Sequence, residues 1–167
     1  IVHLMLDAGL RSSEVINLRF CDLIFDKNIL QIWKSKGSKT RLVILCPRLK
    51  VNLMKYCVLY RNYTQLPDHS NVFIQMKNQK SINSNVLKQF FSRLKKKTGI
   101  ERVHPHLCRH TFATAYIIGG GSLEMLRLLL GHSDYEVTRM YLHLAHQCLM
   151  SHSDVYRLDP VYFKKMI

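Results

Sequence analysis

The sequence predicts an α+β domain that is mainly α-helical with one small antiparallel β-sheet. Three observations predict it. Apolar residues recur at helical spacing in most of the chain, as in Val86, Leu87, Phe90, Phe91 and Leu94. One stretch, residues 22–45, switches to strand-like runs on either side of a turn rich in Lys, Gly and Ser. The length of 167 residues with 47% hydrophobic content suits one domain, 1–167, with a sizeable core. No internal repeat or low-complexity segment breaks it up.

The elements follow in order. Apolar residues at positions 1, 2, 4, 5 and 6 suggest a first helix that stops near Gly9. Ser12 or Ser13 can cap a short second helix through Asn17, with Glu14 in the first turn where the helix dipole favours a carboxylate. Arg11 therefore sits at a helix-to-helix junction. Residues 29–33 and 41–45 read as a hairpin with Lys36 at its tip. After Pro47 a helix runs to about Tyr63, and a short strand is expected at 72–74. Asn83 or Ser84 can cap a helix that ends near Gly99, with Lys95, Lys96 and Lys97 at its negative end. Pro105 opens the next helix, which ends at Gly119, Gly120 and Gly121. A capped helix over 122–130 closes at Gly131, with Met125, Leu126, Leu128, Leu129 and Leu130 expected to pack in the core. A short helix from about Ser133 leads to Tyr141, whose neighbours Met140, Leu142 and Leu144 read as core or interface, and an amphipathic piece lies near 151–158.

Composition narrows the function. Lys and Arg number 25 against 11 Asp and Glu, a net charge of +14. Such an excess favours a polyanion, because neutralising phosphates releases condensed counterions. No apolar run approaches a membrane span and no secretory signal is visible. Five scattered cysteines, Cys21, Cys46, Cys57, Cys108 and Cys148, are odd in number and form no CxxC pair, which points to reduced thiols in a cytoplasmic protein. The chain opens on Ile1 as a helix already under way, so a preceding N-terminal part is expected.

His106 and Arg109 are spaced i, i+3, so both project from one helix face. An imidazole beside a guanidinium suits a phosphate: arginine binds its oxygens bidentately, and histidine can hold or pass a proton near neutral pH. A second guanidinium from Arg11 allows a two-arginine clamp, and phosphoryl transfer needs little beyond positioning and charge stabilisation. Any one His-x-x-Arg is by itself an ordinary surface pair, and any one tyrosine an ordinary core residue. The joint pattern is less ordinary. It comprises Gly9-Leu10-Arg11-Ser12-Ser13-Glu14, Lys36-Gly37-Ser38-Lys39-Thr40-Arg41, His106-Leu107-Cys108-Arg109-His110 and Leu130-Gly131-His132-Ser133. Tyr141 stands 9 positions after His132, itself 23 after Arg109.

In this order the segments resemble the active-site boxes of the tyrosine recombinases, the phage-type integrases, over residues 1–141. The resemblance implies the catalytic-domain fold of these DNA breaking and rejoining enzymes. It also implies the catalytic set Arg11, Lys36, His106, Arg109, His132 and Tyr141. Arg11, Arg109 and His132 would hold the scissile phosphate. Tyr141 would attack, leaving a 3′-phosphotyrosyl bond and a free 5′-hydroxyl. Lys36 would protonate the leaving oxygen, a role its neighbours Lys34 and Lys39 can also fill, and His106 would assist proton transfer by accepting the tyrosine proton. A tyrosine is a weak nucleophile at its unperturbed pKa of about 10, so it needs a base or a cationic field. No cofactor, metal or ATP is expected. The implied partner is double-stranded DNA, with a tetramer on DNA for the full-length protein and a monomer or weak dimer for this piece. The implied setting is the bacterial cytoplasm at the nucleoid, in a phage or other mobile element. The family's N-terminal DNA-clamping domain is expected to lie outside this sequence, and the tail at 150–167 is expected either to dock on a neighbouring subunit or to pack on its own domain.

Lys34, Lys39, Arg41, Lys95, Lys96 and Lys97 are candidate DNA-backbone contacts that would set register without reading sequence; a solvated face is the alternative for the last three. A zinc reading of His104, His106, Cys108 and His110 is weakened because residues two apart point to different faces of a helix. Glu14, Asp22 and Asp26 do not by themselves form a two-metal carboxylate cluster. Two rivals share much of the pattern: a type IB topoisomerase, which would not resolve a Holliday junction between duplexes, and a non-catalytic DNA-binding relative, which would be indifferent to Tyr141→Phe.

Overall fold

The structure is a computed structural model that describes residues 1–33, 40–132 and 140–141. Helix α1, Val2–Leu6, buries Leu4 and Met5 and leads through Gly9, whose φ of +65° a side chain would resist. Helix α2, Ser12–Ile16, follows at once. Its cap differs from the expected serine. Arg11 is the N-cap residue, and Glu14 reaches back to the Arg11 backbone N–H at 2.7 Å. The carboxylate at the third helical position satisfies the N-cap backbone N–H, the half of a capping box that does not need a serine at the cap, and it ties the first turn to the arginine.

The strands are β1, Leu23–Ile24, β2, Ile29–Ile32, and β3, Arg41–Ile44, joined antiparallel in the order β1-β2-β3. The hairpin register pairs Leu30 with Val43 and Ile32 with Arg41. Leu30, Ile32 and Val43 are therefore buried on one face, while Leu42 and Ile44 lie outward. Arg41 shares the buried face, which decides its role below.

Helix α3, Pro47–Arg61, begins with proline at its first turn and ends on Asn62 in the left-handed region. The strand expected at 72–74 is not a ladder. Val72 donates to the Leu18 carbonyl, and only isolated bridges, Arg19 with Asn71 and Ile74 with Ser81, form there. An apolar triplet that short is satisfied by packing Val72 and Phe73 into the core without a partner strand. Helix α4, Ser84–Thr98, is capped by the Asn83 side chain and closed by Gly99; helix α5, Pro105–Ile118, is capped by His104 Nδ1, which accepts from the Leu107 N–H. Helix α6, Leu123–Leu130, is capped by Ser122 and closed by left-handed Gly131. Only Leu126 and Leu130 of the expected leucine-rich set are fully buried; Met125 and Leu128 are half exposed, since a helix offers one stripe to the core.

The main core gathers Leu4, Met5, Leu10, Val15, Leu30, Val43, Leu49, Leu53, Leu87 and Phe91 from α1 to α4 and the sheet. A second cluster joins Ala113 of α5 and Leu126 and Leu130 of α6 to Tyr141, with Phe112 and Tyr116 against it. Burying each such aliphatic side chain contributes about 1.5–3 kcal/mol. These contacts fix α5 and α6 against one another at the place where the polar cluster forms. Met140 and Tyr141 are helical, and Met140 is exposed rather than core. The expected strand tip at 34–39, the rest of the helix from Ser133, with Leu142 and Leu144, and the tail at 150–167 lie outside the described residues. Among the described residues no helix is long and apolar enough to cross a membrane, and Cys21, Cys46, Cys57 and Cys108 are free thiols.

Candidate active site

Three arginines converge on the last turn of α6. Arg41 donates from Nε to the Leu129 carbonyl at 2.7 Å, Arg109 from Nη2 to the Leu130 carbonyl at 2.7 Å, and Arg11 from Nη2 to the Gly131 carbonyl at 3.4 Å. A helix C-terminus leaves its final carbonyls unpaired and carries partial negative charge, so it is a natural anchor for cations. Arg109 also donates to the Gly9 carbonyl in the connection between α1 and α2. Gly9 has no room for a side chain: a Cβ there would lie 2.5 Å from the Phe112 ring.

A single carboxylate serves two of these arginines. Glu14 accepts from Arg41 Nη1 and Nη2 at 2.6 and 2.7 Å and from Arg11 Nη1 at 3.1 Å. Burial by itself pushes the Glu14 carboxyl up. The hydrogen bonds and charge of Arg41, with those of Arg11, outweigh it and hold the carboxyl below its ordinary value near 4.5. Three guanidiniums against one carboxylate leave the cluster electropositive.

Arg109 is the most buried cation of the three. Burial, then repulsion from Arg11, pushes its pKa down to about 10, which leaves it charged at neutral pH. Its Nη2 lies 3.1 Å from His132 Nε2. A guanidinium only donates, so that nitrogen of His132 accepts and the ring carries its proton on Nδ1. Tyr141 stacks on His132, ring centroids 6.2 Å apart and 13° from parallel, and tilts against His110 at 5.2 Å and 51°. Burial raises the Tyr141 phenol, while Arg109 and Arg11 pull the other way without cancelling the rise. Arg11 further borders a cleft of about 750 Å³ whose walls include Arg19, Asp22, Gln31 and Trp33.

The fold thus brings Arg11, Arg109, His132 and Tyr141 together. His106 is exposed on α5, and its ring neighbour is His104 at 6.5 Å. Lys34, Lys36 and Lys39 lie outside the described residues. Arg41 is a correction: it was expected to face the DNA backbone, but it is buried and committed to Glu14 and Leu129. Its place on the inward side of β3 is the cause. Lys95 pairs with Glu101 at 2.6 Å, while Lys96 and Lys97 are exposed at the end of α4. Among the described residues no three of His, Cys, Asp and Glu gather as a metal site. Sequence reasoning missed Glu14 as a ligand of the arginines, although its three-residue spacing from Arg11 is a readable cue. It had none for the pairing of Glu14 with Arg41.

Comparison with known proteins identifies the family and the fold. The profile of the phage integrase family matches residues 1–147. A tyrosine recombinase of Thermosipho africanus is 33% identical over 147 residues, 87% of this chain and 49% of that protein. Tyrosine recombinase XerD of Lacticaseibacillus casei is 35% identical over 155 residues, 90% of this chain and 52% of that protein. The chain therefore spans about half the length of these relatives. The crystal structure of XerA recombinase superposes with a TM-score of 0.79 at 27% identity, covering 93% of this chain and 56% of that one. The catalytic domain of bacteriophage HP1 integrase gives 0.64 at 24% identity, covering 94% and 80%.

Proposed function

Since this chain belongs to the phage integrase family, we propose that it carries out the DNA cleavage and rejoining of a site-specific tyrosine recombinase. The observation that carries this reading is the placement of Tyr141 against His132 and Arg109 in a cluster with more guanidinium than carboxylate charge. Arg11 and Arg109 are the clamp on the non-bridging oxygens of the scissile phosphate, held in place before substrate arrives. His132 joins them. Tyr141 attacks phosphorus, forming a 3′-phosphotyrosyl ester. Lys36 gives a proton to the departing 5′-oxygen, and His106 assists proton transfer from the exposed rim of α5. The ester keeps the bond energy, so a 5′-hydroxyl from a partner strand reverses the reaction without ATP.

The substrate is double-stranded DNA, in keeping with the net charge of +14. A fold neighbour, XerH, was crystallised on its palindromic difH substrate. The full-length protein works as a tetramer on DNA at the bacterial nucleoid, the chain alone being a monomer or weak dimer. Covalent trapping tests the reading. The protein is incubated with nicked duplex or supercoiled plasmid in EDTA and quenched with SDS. A protein-linked DNA product that is lost in Tyr141→Phe is the expected result. An adduct that survives in Tyr141→Phe, or that forms only with added metal, overturns it.

A further inference from the structure

The role of Tyr141 as nucleophile, on which this inference rests, leaves a phenolic proton to be taken up. Burial holds that phenol above its ordinary value, so water is a poor acceptor for it. Two imidazoles touch the tyrosine ring. His132 Nε2 already accepts an N–H of Arg109. His110 is different: its Nδ1 is shut off from solvent and has no hydrogen-bond partner among the described residues. Buried polar atoms in native folds nearly always have a partner, so this nitrogen is open to a donor. The ring lies 5.2 Å from that of Tyr141, at an angle of 51°. Burial, followed by the positive influence of His106, His104 and Arg109, lowers the His110 pKa, so the ring is uncharged at neutral pH and keeps a lone pair. His106, one turn earlier on α5, is exposed and lies against His104.

We propose that His110 is a catalytic residue that accepts the phenolic proton of Tyr141 at Nδ1. As Tyr141 Oη bonds to phosphorus, its O–H breaks and the proton passes to the imidazole. The bond from phosphorus to the 5′-oxygen breaks, and that oxygen leaves with a proton from the leaving-group acid. An imidazolium beside Arg109 is strained by like charge, which favours return of its proton to the phenol when a 5′-hydroxyl reverses the step.

The test is single-turnover formation of the covalent adduct on a nicked duplex by the full-length protein. Position 141 carries either tyrosine or difluorotyrosine, whose phenol is more acidic. His110→Ala, and His110→Gln as the variant closest in size, are expected to slow the adduct by about 10²–10⁴-fold with tyrosine, the usual contribution of a positioned base. With difluorotyrosine that deficit shrinks at least about tenfold, because a more acidic phenol depends less on its base. The deficit of His106→Ala stays unchanged by the fluorines. A folded His110→Gln protein within about threefold of the parent, or a deficit equal for both phenols, overturns the inference. The second result would leave His110 as packing for the tyrosine ring. If the parent itself forms no Tyr141-linked adduct, the recombinase reading falls, and this one with it.

Discussion

Replacing Glu14 by Gln perturbs the centre of the arginine cluster with almost no change of volume. In the parent, both carboxylate oxygens are used: Arg41 takes one through each Nη, Arg11 Nη1 shares one and the Arg11 backbone N–H the other. The side chains of Glu14 and Arg41 are each only 7% exposed, so solvent cannot substitute. The amide keeps one accepting oxygen, but sets its NH2 against a guanidinium N–H and removes the countercharge. Removing one partner of a buried pair costs about 3–5 kcal/mol. Arg41 retains the Leu129 carbonyl, which places the expectation near the lower end, about 3 kcal/mol. For a domain of this size that is a fall of about 6–12 °C in Tm. Urea unfolding at neutral pH measures it. The double variant Glu14→Leu with Arg41→Met provides the check, because exchanging a whole buried ion pair for apolar groups is often close to neutral. It should be more stable than Glu14→Leu alone. A Glu14→Gln loss under about 0.5 kcal/mol, the size of an ordinary surface change, would refute the reasoning. So would a double variant whose loss equals the sum of its singles.

The same carboxylate sets a pH dependence. Its folded pKa lies below the ordinary value near 4.5, so the stability it contributes is complete above that value and fades as pH falls below it toward the folded pKa. The gap in urea midpoint between the parent and Glu14→Gln should therefore be widest at neutral pH and narrow in acid below about 4.5; a constant gap would contradict the assignment. Gly9→Ala tests the carbonyl that holds Arg109. The left-handed backbone costs a side chain about 1–2 kcal/mol, and the Cβ would press on Phe112. The variant should melt several degrees lower and form adduct more slowly even at temperatures where it is fully folded, as read by circular dichroism and SDS trapping.

Helices, their glycine stops and the presence of a hairpin were legible because each rests on local chemistry. Asn83 and Ser122 cap as a short polar side chain before an apolar run should, and Gly99 and Gly131 stop their helices in the left-handed region. The triplet at 72–74 misled because a short apolar run alone cannot say whether a partner strand exists. At the site, the residue types were legible but the partners were not. Arg41 reads as a surface cation in a basic hairpin, and only its register opposite Ile32 turns it inward toward Glu14, 27 positions away. Besides His132, the acceptors that hold Arg109 are the backbone carbonyls of Gly9 and Leu130, which no pattern of side chains announces.

Those carbonyls explain how the cluster can be rigid and still stay electropositive. A guanidinium anchored by a carboxylate is fixed but neutralised; one anchored by a carbonyl is fixed and keeps its full charge. Three consecutive carbonyls, Leu129, Leu130 and Gly131, take one arginine each, while Glu14 is the lone carboxylate among them. Helix α6 must end at that point for the carbonyls to be unpaired, and Gly131 at φ +62° ends it. The glycine box that precedes His132 in the sequence is thus part of the arginine cluster through its backbone. A residue with a Cβ there would strain the turn and approach Arg41 Cδ at 3.1 Å, and so disturb all three arginines together.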